Sequence, residues 1–300
     1  MSKSKLILLI FSSLLILSFS FFFIKNFRID ASSDTLVAQN DENFKYFNEY
    51  SKIFKTNDFL ILAVENKKEI NIDFENTIKL ISSKLLKIKE VSNVFSFIEA
   101  PVLFLNNTKI SDLAGNIQNL QNSDYEIKQV INEFKNNPLY VDQIINKEGT
   151  VFSIIIYLTK DNNFLKSKDD FKNSLITKNE YLKIKNLNDN KREKLITSIR
   201  QIIEEADKNY TYYLGGVEMI TNDVINFVKD DILIFSFSVI FIIIIVLLFI
   251  FREFIWVGIC LISSCYTIIT IFGMLGLLQI EVTAVSSNFA ALIFILSISM

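Results

Sequence analysis

The chain has 300 residues, half of them hydrophobic, with 28 Phe, 7 Gly, 2 Pro, no His and a formal net charge of −2. That balance excludes a nucleic-acid partner, which needs a concentrated basic surface. The lack of His removes the commonest general base and the commonest metal ligand. No phosphate loop, dinucleotide glycine pattern, zinc spacing or G-x-S-x-G elbow occurs, so neither an enzyme activity nor a cofactor is expected.

The apolar residues gather at the two ends and the charges lie between them. A short tail at 1–5 carries Lys3 and Lys5, and residues 6–24 then run without a charge. A bilayer core takes about 20 helical residues to cross, so this run is long enough to span. It also exceeds the roughly 7–15 apolar residues of a signal peptide, and no A-x-A-like cleavage site follows Phe21-Phe22-Phe23-Ile24-Lys25. An uncleaved signal anchor is the reading that fits.

Residues 25–231 alternate between strand-like and helix-like patterns. The run 58–65 (DFLILAVE) suits a buried strand. A helix is expected over 73–89, because Phe74, Ile78, Ile81, Leu85 and Ile88 recur every three or four positions. Asp73 and Glu75 in its first turn and Lys84, Lys87 and Lys89 in its last complement the helix dipole. A strand follows at 91–98.

Residues 151–158 (VFSIIIYL) are the most strand-like of the chain. A second amphipathic helix is expected over 191–208, with Leu195, Ile199, Ile202 and Ala206 on one side. A closing strand at 210–214 ends in Gly215-Gly216, and a short helix carrying Val224, Phe227 and Val228 leads through Asp230-Asp231 towards the next apolar run. Asn- and Lys-rich segments at 106–124 and 161–190 read as loops. The expected fold is α+β, with an extracytoplasmic domain of ferredoxin-like, split-βαβ connectivity over 25–231 and transmembrane helices around it.

Two further uncharged runs, 232–251 and 254–278, are long enough to span, and a fourth begins near Ala284 and is still apolar at Met300. Lys3, Lys5 and Arg252, in the turn between the second and third runs, should be cytoplasmic under the positive-inside rule. Residues 25–231 are then outside, since long domains translocate regardless of Lys25 and Arg28. Cys260 and Cys265 both lie within the third run, off each other's helical face, and read as small buried hydrophobes rather than a disulfide.

The stretch Phe27-Arg28-Ile29-Asp30-Ala31-Ser32-Ser33-Asp34-Thr35-Leu36, with Asn40-Asp41, Tyr46 and Asn57-Asp58-Phe59-Leu60, resembles the segment after the first span of RND-superfamily exporters carrying the MMPL-type membrane domain. Leu214-Gly215-Gly216-Val217 resembles the end of their porter domain. Phe251-Arg252-Glu253, and Leu275-Gly276-Leu277-Leu278 followed by 281–289, resemble their second to fourth spans. The resemblance implies proton-driven export of hydrophobic, amphipathic or lipid-like compounds from a bacterial inner membrane. Membrane lipids, the exported substrate, and a homo-oligomer or periplasmic adaptor are the implied partners.

The same resemblance places the proton relay in the fourth span, just beyond Met300, and no ionisable side chain occurs inside the apolar runs. As a helix, 288–300 would cover roughly 20 Å, short of the roughly 30 Å bilayer core, so the chain is expected to be the N-terminal part of a longer permease. Gly215 and Gly216 are a candidate hinge; a tight turn explains them as well. Asp230 and Asp231 are candidate interfacial charges. Asp30 and Asp34 fit turn or cap roles, and Glu281 a solvated loop. A SecD/SecF-like translocase helper or an extracytoplasmic sensor is the alternative, and the short cytoplasmic tail and turn disfavour a signalling receptor.

Overall fold

The computed structural model describes residues 3–27, 29–30, 42, 46, 49–50, 58–68, 70–105, 118–280, 282–283, 292–293 and 295–297. Asp34, Glu281, the motif residues 31–36, most of the expected fourth span and residues 106–117 of the expected loop lie outside them. In chain order the first elements are α1 (Lys3–Ile24), β1 (Ile29–Asp30), β2 (Phe59–Glu65), α2 (Ile72–Leu85), β3 (Val91–Phe95) and α3 (Ile127–Asn136). Then follow β4 (Val151–Leu158), α4 (Asn162–Lys172), α5 (Lys178–Glu204), β5 (Thr211–Gly215), α6 (Val217–Phe251), α7 (Phe254–Leu278) and β6 (Val282–Thr283). The chain divides into two compact units, Ser51–Asn222 and Met1–Tyr50 with Asp223–Met300.

The Ser51–Asn222 unit is an antiparallel sheet in the order β3-β4-β2-β5. The strands β2 and β3, joined through α2, are separated by β4, and this is the split β-α-β arrangement. Alternation fixes the register: Leu60, Leu62 and Val64 of β2 and Phe152, Ile154 and Ile156 of β4 are fully buried, while their neighbours stay half-exposed. Phe74, Ile78, Ile81 and Leu85 of α2 and Leu195, Ile196 and Ile199 of α5 complete that core. Its centre is a ring cluster, with Phe152 4.8 Å from Phe74 and 5.1 Å from Phe97 between centroids. Asn71 caps α2 by accepting the Phe74 N–H, and Asp73 and Glu75 occupy its first turn as expected.

Several boundaries differ from the sequence expectation. Helix α2 ends at Leu85, since Leu86, Lys87 and Ile88 close it in turns onto Ser82, Lys84 and Leu85. Strand β3 stops at Phe95, where Glu99 turns the chain by accepting the Ser96 N–H and hydroxyl. Residues 127–136, left unassigned by the sequence reading, form α3, with Val130, Ile131 and Phe134 buried.

The largest correction falls on the expected loop 161–190, which is mostly helix. Asp161 caps α4 by accepting the Asn163 and Phe164 N–H groups. Thr177 and Glu180 cap each other's backbone in a reciprocal box that starts α5. The two helices form a hairpin held by Phe171 stacked on Tyr181 at 4.7 Å and by Lys191 paired with Asp161 at 2.6 Å.

In the other unit, α1 lies against α7. A Cβ added at Gly273 would fall 2.5 Å from the Ser20 Cα, and one at Gly276 would collide with the Phe23 carbonyl. Contacts advance together along both helices, so they run in the same direction. The short strands that follow them pair in parallel, Ile29 with Val282 and Asp30 with Thr283. Ser20, Ser264, Gly273 and Gly276 are buried, so small side chains line the seam and admit close backbone approach. The Phe27 and Phe272 rings meet at 4.7 Å beside it.

Helix α7 is long and apolar enough to cross a membrane; the apolar stretches Phe11–Ile24 and Phe237–Phe251 are shorter among the described residues. Arg252 and Gln279, the residues directly after α6 and α7, both stand at positive φ, 55° and 52°. The Gln279 and Ile280 N–H groups donate to Gly276 and Leu275, which satisfies carbonyls that the helix end leaves open.

Candidate functional site

The connection from β5 into α6 carries the residues that the sequence singles out. Gly215 is the last residue of β5, and Gly216 turns the chain at φ 131°. A Cβ at Gly216 would meet Leu60 Cδ2 at 2.8 Å and the Phe59 carbonyl oxygen at 3.1 Å. Conformation and space both demand glycine there, so the turn is fitted against β2.

Immediately after this turn, Glu218 is the acidic residue in the first turn of α6, where the helix dipole favours a carboxylate. Its partner is Arg192 of α5. The guanidinium pairs through Nε with Glu218 and through Nη1 with Asp189 at 3.1 Å, and its side chain is only 15% exposed. Sequence reading did not find this cluster, because 192 and 218 lie on separate elements and no spacing rule relates them.

Asp230 and Asp231 are exposed and lie inside α6, roughly four turns beyond Gly216 along the helix. The expected short helix ending at these carboxylates is therefore one uninterrupted helix from Val217 to Phe251. Nothing between 217 and 251 is Gly or Pro, and exposed charges do not break a helix. Asp30 stands in β1, paired with Thr283.

A concavity of about 530 Å³ lies at the end of α5, lined by Ile203, Glu204, Ala206, Lys208, Tyr210 and Tyr212. Burial, with Asp207 nearby, pushes the Tyr212 phenol up to about 12, and its hydroxyl donates to the Asp207 carbonyl at 3.0 Å. Burial raises Tyr210 as well. Both rings thus present neutral, hydrogen-bonded phenols at physiological pH. Among the described residues no group of three or more Cys, Asp or Glu is placed to hold a metal ion.

No curated protein matches the chain. The model of the MMPL family matches residues 179–300, from the start of α5 through β5, α6 and α7. Over residues 179–300 the chain is thus similar to the MMPL family, and this similarity supports a permease-type reading at the level of the RND superfamily.

Proposed function

We propose that this chain serves as a bacterial inner-membrane permease of the RND/MMPL type that exports hydrophobic or lipid-like compounds. The observation that carries the reading is the family match, because a single MMPL-type domain takes in α5 and β5 of the sheet unit together with the apolar helix α7. Residues 6–24, 232–251 and 254–278 are the spans of this proposal.

The parallel seam between α1 and α7 supports the orientation. Parallel helices start on the same side of a membrane, and their starts carry Lys3 and Lys5 in one case and Arg252 in the other. Positive flanks belong in the cytoplasm, so the sheet unit, which follows the far end of α1, is periplasmic. In this reading proton entry drives export, and a second copy or a periplasmic adaptor completes the exporter.

The experiment is to delete the gene and extract the cells. Accumulation of a lipid or other hydrophobic compound, reversed by the plasmid-borne gene and blocked by a protonophore, is the expected result. Accumulation of unprocessed preproteins with unchanged lipids would instead identify a translocase helper.

A further inference from the structure

We propose that Arg192 is a latch that holds the first turn of α6 on the sheet unit, giving this segment a docked and an undocked state. The inference goes beyond the export reading and does not depend on it. Three observations carry it.

First, apolar packing is too thin to hold the segment 217–222. Val217 is 60% exposed and Ile220 49% exposed, and only Met219 packs partly against the core. The buried members of the segment, Thr221 and Asn222, are polar. Burial of apolar area is the usual fastener between a helix and a sheet, and here it is nearly missing.

Second, the polar fastener is well built. Arg192 offers a rigid fork, and two carboxylates from different places take it: Asp189 one turn earlier on α5, and Glu218 on α6. The cluster is largely withdrawn from water, with side-chain exposures of 15% for Arg192 and 26% for Glu218. Such a charge-assisted pair is stronger than an exposed one, and parting it leaves each group poorly solvated.

Third, a glycine adjoins it. Gly216 holds a backbone conformation that other residues rarely adopt, directly before the latched turn. Parting Arg192 from Glu218 frees the turn to pivot there without disturbing β5.

The test is amide hydrogen exchange on the full chain in lipid nanodiscs, comparing wild type with Arg192→Gln, Glu218→Gln and the double variant. The reporters are Ile220, whose N–H donates to the Gly216 carbonyl at 3.0 Å, and the following Thr221 and Asn222. Each single variant should speed their exchange roughly tenfold, the double no more than either single, with β2 unchanged. Arg192→Lys, which keeps the charge but loses the fork, should give a smaller acceleration and serves if a Gln variant does not fold. No acceleration, effects that multiply in the double variant, or equal loosening of β2 would each overturn the latch.

Discussion

Gly273 of α7 lies so close to Ser20 of α1 that an added Cβ would sit 2.5 Å from the Ser20 Cα. No side chain fits at such a distance, so the seam between these helices is written into glycine. Gly276 repeats the arrangement one turn later against Phe23. Gly258, on the same helix, has nothing within 4 Å of its would-be Cβ. The three glycines therefore make an internal comparison.

Gly273→Ala and Gly276→Ala should each force α1 and α7 apart and destabilise the chain by about 1–3 kcal/mol, the usual scale of overpacking. Gly258→Ala should be neutral or slightly stabilising, since alanine is the better helix former by about 1 kcal/mol. Thermal unfolding in detergent, followed by circular dichroism, separates the two classes. Equal effects at all three positions would contradict the seam.

The sheet unit depends on one aromatic cluster. Phe74 is fully buried against Phe97, Phe152 and Tyr210, whereas Phe59 is 48% exposed on the other face of the sheet. Phe74→Ala should cost about 3–5 kcal/mol through lost contacts and a cavity. Phe59→Ala should cost much less. Urea unfolding monitored through the unit's tyrosines measures both.

The α4–α5 hairpin should weaken in acid. The hydrogen bond from Lys191 and the Phe164 N–H hold the Asp161 carboxyl below its ordinary value of 3.8. A depressed carboxylate stabilises the fold above its unfolded pKa, and the contribution is lost as pH falls through the folded value. The hairpin should therefore keep its protection from neutral pH down to about 4 and lose it below. Asp161→Asn should remove the Asp161 share of that pH dependence and loosen α4 at neutral pH but not in acid, as read by hydrogen exchange across 162–172.

How much of this was legible depends on what each element rests on. Helix α2 could be read because its buried residues, Phe74, Ile78, Ile81 and Leu85, are spaced by the helix period. The strands β2 and β4 could be read because each is a short apolar run of strand length, β4 being rich in β-branched and aromatic residues as well. The first half of α5 could not: before Leu195 it buries only Leu182, and it is held by the aromatic contacts of the hairpin. Its start carries a signal that the loop reading of 161–190 passed over, Thr177 and Glu180 three residues apart as a capping box.

The turn at Gly215-Gly216 was legible, and its role against Leu60 was not, because that contact joins β2 to β5 across most of the unit's sequence. The seam was hidden for the same reason. A glycine inside an apolar run permits a close approach without showing whether one occurs or which helix makes it. Ser20 and Gly273 are brought together only by the fold.

The most direct test of the account is the membrane sidedness of the sheet unit relative to the α6–α7 turn. With Cys260 and Cys265 replaced by Ala, single cysteines at Asn209 and at Glu253 would be probed in intact spheroplasts with a membrane-impermeant maleimide. The account predicts labelling at Asn209 and protection at Glu253 until the membrane is opened. Labelling at Glu253 with protection at Asn209, or at both positions alike, would contradict it.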